Sequence, residues 1–325
     1  MVATPARLTV TGCGNQAING IGNGMEQPAD TVTVAAVNFH AVWGDKAANL
    51  GRILALAREA AARGAKIVLF PETALTGYNH DGKSVAMHEA NAETVPGPAA
   101  EALADCAREL GIWLTVGLPE RDAATGTIYN SALVAGPEGI VDCYRKIHLP
   151  GDESLWARKG DRPCLFDTPW GPVGLGICYD SYVFPELARY YAALGARIYL
   201  NPTAMPKVPN WEELYYTGLK ARVLENAFFI VSANLTGEDR DVTFPGDSLI
   251  LGPGKGPINP TIHGGPAKEE DEIVVATIDL SRCDRTRNQL PILKDNPLTG
   301  EPDWRPGVYA RLLDDVRVRE GWRDR

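Results

Sequence analysis

Apolar and polar positions follow two different periods along the chain. Short, nearly continuous apolar runs, at residues 31–39 and 67–70, are typical of buried strands. Residues 46–63 instead place apolar side chains three and four positions apart and are followed by a glycine, which predicts an amphipathic helix. Residues 31–70 therefore predict a strand, a helix and a second strand.

The same two patterns continue to about residue 280. They predict three further helices, at residues 98–110, 185–194 and 211–225. They also predict strands that are separated by turns rich in Gly, Pro and Asp: residues 112–118, 128–135, 140–144, 164–167, 173–177, 197–200, 228–232, 248–251 and 273–278. Strands outnumber helices, and helices flank both early and late strands. This order predicts two sheets packed face to face with helices on the outer faces.

The two ends of the chain lack this periodicity. Residues 1–29 carry many glycines and no regular pattern, so we expect an N-terminal arm. Residues 281–325 are charged and interrupted by prolines, which predicts a C-terminal extension that packs on a partner subunit. Residues 30–280 show neither a linker nor an internal repeat, and we expect them to form one domain.

Composition argues against several classes of partner. The net charge of -9, without a long basic cluster, is unlike that of proteins that bind nucleic acid or anionic membranes. No apolar run reaches the roughly 20 residues of a membrane span, and the first residues lack the basic and apolar regions of a signal peptide. We therefore expect a cytoplasmic protein with no nucleic-acid partner and no membrane partner.

The six cysteines and five histidines show no metal-binding spacing. The chain contains no C-x-x-C pair and no H-E-x-x-H motif, so neither a zinc site nor a redox dithiol is indicated. A disulfide framework is also not expected in a chain large enough to be stabilised by its core. We expect reduced thiols, no metal and no cofactor, so the chemistry has to come from side chains.

Three predicted strands are each followed by a reactive side chain. Glu72 follows residues 67–70, Lys146 follows residues 140–144, and Cys178 follows the strand at residues 173–177. Each has an ordinary explanation on its own, since most such carboxylates and lysines are solvated and most cysteines are core residues. Together, a base, a cation and a thiol are the parts of an activated nucleophile. Ligands of α/β sheets bind at the carboxyl ends of strands, which is where these three residues are predicted to lie.

These motifs resemble those of the nitrilase, or carbon-nitrogen hydrolase, superfamily. Further runs that resemble the family occur in the same order: Leu75-Thr76-Gly77-Tyr78, Gly117-Leu118-Pro119-Glu120, Tyr129-Asn130-Ser131-Ala132, Arg145-Lys146-Ile147-His148-Leu149, Asn201-Pro202-Thr203-Ala204 and residues 222–226. The resemblance covers about residues 31–280. It implies an α/β fold of the α-β-β-α sandwich type, with four layers, and a Glu-Lys-Cys triad.

The resemblance also implies a role for each member of the site. Cys178 is the nucleophile that forms a thioester, and Glu72 is the base for the thiol and later for water. Lys146 and the backbone N–H of Tyr179 stabilise the oxyanion. Glu153 falls where amidase-like members carry an auxiliary carboxylate, although a surface charge on a loop explains it about equally well. A cation beside the thiol is expected to make Cys178 the cysteine that is alkylated fastest.

The substrate is less well defined by the sequence. Residues near the motif loops that are expected to line the pocket are Tyr78, Trp156, Tyr179, Tyr182, Thr203 and Trp211. For any single aromatic residue, core packing is the better explanation, but as a group they favour a neutral, partly apolar amide. Family members that act on carboxylated substrates carry an arginine just after the nucleophile, where this chain has Ser181-Tyr182-Val183. Arg158 or Lys159 could replace it.

The predicted function is therefore thiol-dependent hydrolysis of a small neutral amide, with water as the second substrate. An N-carbamoyl amine or amino acid is an alternative substrate. A nitrile is less favoured, because nitrile hydrolysers of the family commonly follow the cysteine with Trp-Glu, not with Tyr179-Asp180. The alternative from another class is a silent scaffold protein that keeps the triad. The resemblance also implies a homodimer or a higher homo-oligomer.

Overall fold

A computed structural model of the chain describes residues 29–79, 84–256, 259–290, 293–301 and 303–319. The predicted N-terminal arm, residues 1–29, lies outside the described residues except for Ala29. The division of the chain into an arm, a domain and an extension stays a prediction.

The described residues form fourteen strands. In chain order they are β1 Thr31–Val37, β2 Ile67–Leu69, β3 Trp113–Arg121, β4 Ile128–Gly136, β5 Gly139–Arg145, β6 Cys164–Thr168, β7 Gly171–Leu175, β8 Ile198–Thr203, β9 Phe229–Asn234, β10 Thr236–Asp239, β11 Val242–Pro245, β12 Leu249–Pro253, β13 Pro260–Gly264 and β14 Ile273–Asp279. Most of them are short and apolar, as the sequence pattern predicts.

The helices of the described residues are mostly amphipathic. In chain order they are α1 Lys46–Ala62, α2 Ser84–Asn91, α3 Pro98–Leu110, α4 Tyr179–Tyr182, α5 Glu186–Ala193, α6 Gly218–Asn226, α7 Ser281–Gln289 and α8 Pro306–Arg319. A 3-10 turn at Gly151–Leu155 and a π-helical turn at Glu213–Thr217 complete the set. Local signals explain several boundaries: Asp45 accepts a hydrogen bond from the N–H of Ala48 at the start of α1, and Gly111 ends α3 in the left-handed conformation.

Twelve of the strands form two six-stranded sheets. The first sheet has the order β14-β1-β2-β3-β4-β5, and the second has the order β13-β12-β9-β8-β7-β6. Each sheet has three parallel strands at its centre, β1-β2-β3 in the first and β7-β8-β9 in the second, with antiparallel strands outside them. The carboxyl ends of these parallel strands are where the candidate site is built.

Helices cover the outer face of both sheets. In the first sheet, Val68 and Phe70 pack outward on α1 and α3, while Ile67 and Leu69 face the second sheet. Helices α5 and α6 cover the outer face of the second sheet. The layers therefore run helix, sheet, sheet, helix, which confirms the predicted α/β sandwich with four layers.

Two helices that the sequence pattern does not predict have polar residues on their buried face. The buried positions of α2 are Ser84 and His88, and those of α7 are Cys283, Thr286 and Arg287. A hydrophobic periodicity cannot report a helix whose inward side chains are polar. Arg287 is stabilised by donating to the backbone carbonyls of residues 196 and 226.

The strand before the cysteine ends earlier than predicted. β7 ends at Leu175 and not at residue 177, and Cys178 instead precedes the short helix α4. The helix predicted to begin at Pro185 begins at Glu186. The helix predicted from residue 211 does begin there, and it passes through the π-helical turn before α6. None of the described helices combines the length and the apolar content that a membrane crossing requires. The cellular location stays a prediction.

Candidate active site

The ends of the parallel strands in the two sheets meet at one place. Glu72 lies three residues beyond the end of β2, and Ala204 directly follows β8 of the second sheet. The backbone N–H of Ala204 donates to Glu72 Oε2 at 2.9 Å, across 132 residues of sequence. The N–H of Cys178 donates to the carbonyl of Pro202 at 3.0 Å. These bonds set the thiol and the carboxylate on either side of the same strand end.

Cys178 lies on a turn with an unusual backbone conformation. Its φ angle is 49°, in the left-handed region that residues other than glycine rarely adopt. The turn is fixed from both sides, because a Cβ on Gly176 would collide with the Tyr199 hydroxyl and the Ser181 hydroxyl donates to the carbonyl of Gly176 at 3.1 Å. The strained residue is thus held at the amino end of α4.

Asp180 joins this turn to the loop that carries the lysine. Its fully buried carboxylate accepts from the His148 backbone N–H at 2.9 Å and lies 2.7 Å from His148 Nδ1. It also accepts from the Tyr144 hydroxyl at 2.8 Å and from the N–H of Ile177 at 3.2 Å. Because four partners converge on one carboxylate, the two loops are positioned relative to each other.

Glu72, Lys146 and Glu153 form one buried charged cluster. Lys146 Nζ lies 2.6 Å from Glu72 Oε1 and 2.8 Å from Glu153 Oε2, and all three side chains are fully buried. Glu153 lies in the 3-10 turn and is not a surface charge, so the ordinary explanation for it does not apply. The sequence-predicted base, cation and auxiliary carboxylate are therefore in direct contact.

Two uncharged side chains complete this cluster. The Tyr78 hydroxyl donates to Glu153 Oε2 at 2.7 Å. Asn130 donates through Nδ2 to Glu72 Oε1 at 2.7 Å and to Glu153 Oε1 at 2.8 Å, so one amide bridges both carboxylates. Asn130 is absent from the residues predicted to form the site. Its signal was the Tyr129-Asn130-Ser131-Ala132 run, which the resemblance includes without a role.

The cluster keeps Lys146 charged and makes the carboxyl group of Glu72 a weaker acid. Burial raises the pKa of Glu72, and the charge of Glu153 raises it further, while Lys146 and Asn130 oppose the shift. Burial acts to lower the pKa of Lys146, but Glu153 and Glu72 outweigh it, and the pKa of Lys146 is raised. Lys146 is therefore an ammonium group at neutral pH, between two carboxyl groups.

The Cys178 thiol is neutral at rest. Burial and the nearby Glu72 raise the pKa of the Cys178 thiol to about 12, while Lys146, Thr203 and the Ala204 N–H act in the opposite direction. Although Lys146 acts to lower it, the pKa of this thiol stays above its ordinary value, whereas a resting pair of thiolate and cation would require a pKa below that value. The pKa of Cys283 is also about 12, so faster alkylation of Cys178 cannot come from a low pKa.

Several hydroxyl and aromatic groups lie close to the Cys178 thiol. The Tyr182 hydroxyl donates to Thr203 Oγ1 at 2.9 Å and accepts from Asn201 Nδ2 at 3.1 Å. The Tyr182 ring lies 5.8 Å from the Tyr215 ring, which in turn lies 6.0 Å from the Trp211 ring. Tyr182 and Thr203 are therefore beside the nucleophile, and Trp211 is one ring farther away.

The remaining predicted residues lie at the edge of this arrangement. The Trp156 ring stacks on His88, with centroids 3.8 Å apart, and its backbone N–H donates to the carbonyl of Glu153. Trp156 therefore supports the 3-10 turn of Glu153 and is not one of the aromatic rings packed near Tyr182. Arg158 and Lys159 are exposed, and Arg158 donates to the carbonyl of residue 154.

Tyr179 begins helix α4 directly after the nucleophile. Its side chain is half-buried and its ring lies 5.4 Å from that of Phe184, which stacks on His148. The first N–H groups of a helix have no partner inside it, and the N–H of Tyr179 is one of these groups.

Within the described part of the chain, no group of three or more His, Cys, Asp or Glu side chains could hold a metal ion.

Several known proteins are similar to this chain in sequence and in fold. Residues 33–288 match the family model of carbon-nitrogen hydrolases. A nitrilase of Pyrococcus abyssi is 34% identical over 253 residues, which cover 77% of this chain and 90% of that protein. Human omega-amidase NIT2 is 34% identical over 264 residues, covering 77% and 89% of the two chains. A mutant amidase from Nesterenkonia sp. AN1, with the product of Michael addition of acrylamide at its active-site cysteine, is 25% identical with a TM-score of 0.66 and covers 80% of this chain and 98% of that chain.

Proposed function

The chain belongs to the carbon-nitrogen hydrolase family, and from this premise we propose that it hydrolyses a small neutral amide through a thioester on Cys178. The observation that carries the proposal is the buried contact of Lys146 with both Glu72 and Glu153, next to the thiol. Structural ion pairs of this density are costly to bury, and they are typical of sites whose chemistry needs them.

The first half-reaction forms the acyl-enzyme. Glu72 takes the thiol proton while Cys178 Sγ bonds to the carbonyl carbon, so no resting thiolate is needed. The carbonyl oxygen becomes an oxyanion beside the Lys146 ammonium and the Tyr179 N–H. The C–N bond then breaks, and Glu72 returns the proton to the leaving ammonia or amine. Glu153 and Asn130 hold Lys146 and Glu72 in place through both steps.

The second half-reaction reverses the proton transfers. Glu72 removes a proton from water while the water oxygen bonds to the thioester carbon. The C–S bond breaks, the sulfur regains the proton, and the acid product leaves. Burial raises the pKa of Glu72, which makes its carboxylate a stronger base toward the thiol and toward water.

A neutral substrate is supported by the uncharged groups beside the Cys178 thiol. The groups close to Cys178 include the hydroxyl and aromatic groups of Tyr182, Thr203 and Tyr215, which carry no charge at neutral pH. The two cations that could replace an arginine clamp, Arg158 and Lys159, are exposed. The acrylamide adduct of the related amidase and the name of omega-amidase NIT2 also favour amides.

The test is ammonia release over a panel of aliphatic, aromatic and carbamoyl amides, with a nitrile as a further substrate. We expect turnover of at least one aliphatic or aromatic amide, and a mass increment on the wild type with a slowly hydrolysed amide. The increment should be absent in Cys178→Ala and present in Cys106→Ala, in which a buried thiol of α3 is removed. No turnover and no adduct across the panel would favour a silent scaffold protein, and turnover of carbamoyl compounds or the nitrile alone would favour those alternatives.

We also propose that the chain forms a homodimer. Large apolar side chains are exposed on α5 and α8 and line a cavity of about 540 Å³, among them Tyr190, Tyr309, Leu312 and Leu313. Exposed apolar surface of this kind is typical of an interface. Sedimentation should give a dimer for the wild type and a monomer for Leu312→Asp with Leu313→Asp, while a monomeric wild type would refute the proposal.

A further inference from the structure

The backbone brings Thr203 to the nucleophile from the neighbouring strand. Cys178 N–H donates to the carbonyl of Pro202 at 3.0 Å, and Thr203 is the next residue and the last of β8. Its hydroxyl is close enough to the Cys178 thiol to act on that group, and it acts to lower the pKa of the thiol. Because a donor stabilises the charged form of a thiol, this interaction strengthens when the proton leaves.

The hydrogen bonds behind Thr203 have one direction. Asn201 Nδ2 donates to the Tyr182 hydroxyl at 3.1 Å and to the Ser232 hydroxyl at 2.8 Å. The Tyr182 oxygen accepts there, and its own hydrogen is donated to Thr203 Oγ1 at 2.9 Å. Thr203 Oγ1 accepts that bond, so its hydrogen is available for Cys178 Sγ.

Burial makes this order strict. Asn201, Thr203 and Ser232 are fully buried, and Tyr182 is 6% exposed, so solvent cannot replace a missing donor. Among the residues that the structure describes, Thr203 Oγ1 has one hydrogen-bond partner, the Tyr182 hydroxyl, and its own hydrogen is not donated to any of them. Hydrogen bonds in such a chain polarise one another in the same direction, toward the sulfur.

We propose that Thr203 is a catalytic residue whose hydroxyl donates a hydrogen bond to the sulfur of Cys178, and that Tyr182 and Asn201 are positioning residues that orient this hydroxyl. The proposal deepens the proposed function and rests on it for the chemical steps. Negative charge develops on the sulfur twice, when Glu72 takes the thiol proton and when the thioester C–S bond breaks. The hydroxyl of Tyr182 is then occupied and does not bind substrate directly.

The decisive measurement is the rate at which iodoacetamide alkylates Cys178, followed by mass spectrometry of the Cys178 peptide at fixed pH. This rate depends on charge development on sulfur but not on the turnover of any amide. We expect Thr203→Val to react about 10-fold more slowly than the wild type, because a hydrogen bond to a charged group is lost. Thr203→Ser should restore the rate, and Tyr182→Phe should fall between the two.

Tyr216→Phe is the matched control. Its hydroxyl donates to Asp247 at 2.7 Å and is not part of this chain of hydrogen bonds, so its alkylation rate should equal that of the wild type. Melting temperatures establish that each variant is folded, and if Thr203→Val does not fold, the comparison of Thr203→Ser with Thr203→Ala replaces it. Equal alkylation rates in folded Thr203→Val and wild type would overturn the proposal.

The two proposals fail in different ways. If no amide is hydrolysed but the alkylation rates follow the expected order, the proposed function is wrong, while the hydrogen bond from Thr203 to the Cys178 sulfur holds. If amides are hydrolysed and Thr203→Val keeps wild-type alkylation and kcat/KM, the role of Thr203 is wrong and the proposed function holds. With an identified substrate, the loss in Thr203→Val should be in kcat, with KM unchanged.

Discussion

The two sheets contribute two different halves to the site. The first sheet and its loops supply Glu72, Lys146 and Asn130, which form a buried network of charges with Glu153. The second sheet supplies Cys178 and the hydroxyl groups beside it, none of which carries a charge at neutral pH. In the proposed mechanism the difference separates two tasks: one half holds and moves protons, and the other keeps the Cys178 nucleophile neutral until a proton is taken.

Desolvation explains why each half is built as it is. Two carboxylates and an ammonium are expensive to bury, and the expense is offset only when nearly every lone pair and proton has a partner. Glu72 and Glu153 therefore share Lys146 and Asn130. A protonated thiol is small and apolar, and it can be buried without such partners. A resting thiolate in the second half would need a second set of charges.

Removing the charge that the first half is built around should have the largest effect. Lys146→Met leaves two buried carboxyl groups without their cation, and we expect kcat/KM to fall by about 10³-fold or more because an oxyanion donor is also lost. Breaking a buried pair from one side should lower the free energy of unfolding by about 3–5 kcal/mol. Steady-state kinetics and denaturant unfolding measure the two effects.

The control for that variant is Arg162→Met. Arg162 is an exposed cation that pairs with Asp142 at the edge of the same sheet, so its loss should leave kcat/KM close to that of the wild type. Similar losses of activity in both variants would mean that the effect of Lys146 is not specific to the site.

Glu153→Gln tests how one carboxyl group in the first half acts on the other. We expect kcat/KM to fall by about 10²-fold, because Lys146 loses a charged partner that positions it. The acidic limb of the pH profile of kcat/KM reports the pKa of the free base. Since the charge of Glu153 raises the pKa of Glu72, this limb should move to lower pH. An unchanged limb would show that the two carboxyl groups do not interact.

Asn130→Ala should shift the same limb in the opposite direction. Its amide hydrogen bond lowers the pKa of Glu72, so removing it should move the acidic limb of kcat/KM to higher pH. We expect an activity loss of about 10-fold from one hydrogen bond to a charged group. Ser131→Ala is the matched control from the next position of β4, since that hydroxyl donates to Glu120 and not to the cluster. An equal shift of the acidic limb in Ser131→Ala would mean that the effect is not specific to Asn130.

The smallest effect on activity is expected at His88, which stacks on Trp156 behind the turn of Glu153. Burial lowers the pKa of His88 from 6.5 to about 4, so its neutral form is favoured in the folded state. Its contribution to stability is present above pH 6.5 and is lost as the pH falls toward 4, because the unfolded chain then binds the proton. The full loss is about 3 kcal/mol.

Denaturant unfolding at pH 7 and pH 5 checks this prediction. His88→Phe should be less sensitive to the change in pH than the wild type, and its kcat/KM at pH 7 should stay within about threefold of the wild-type value, since the ring contacts no member of the charged cluster directly. A wild type and a variant that lose stability equally between the two pH values would contradict a buried neutral histidine.

Much of the fold follows from patterns that are local in the sequence. Strands such as β2 and helices such as α3 are recognisable because their buried side chains are apolar and recur with the period of the element. Helices α2 and α7 are not recognisable in this way, since their inward residues are polar. Arg287 of α7 donates to carbonyls of distant residues, and His88 of α2 stacks on the Trp156 ring. The residues next to a polar residue in the sequence therefore do not predict whether that residue faces inward.

The sequence by itself determined the nucleophile, base and cation as candidates, because Cys178, Glu72 and Lys146 each follow a recognisable strand and together resemble one family. The tertiary structure alone decided how these groups are set against each other. Asn130 bridges carboxyl groups 58 and 23 residues away, and the strand end at Thr203 lies against both the thiol and its base. The physical reason is that the pKa and the hydrogen-bond direction of a buried group depend on contacts across sheets, which no local pattern of apolar residues contains.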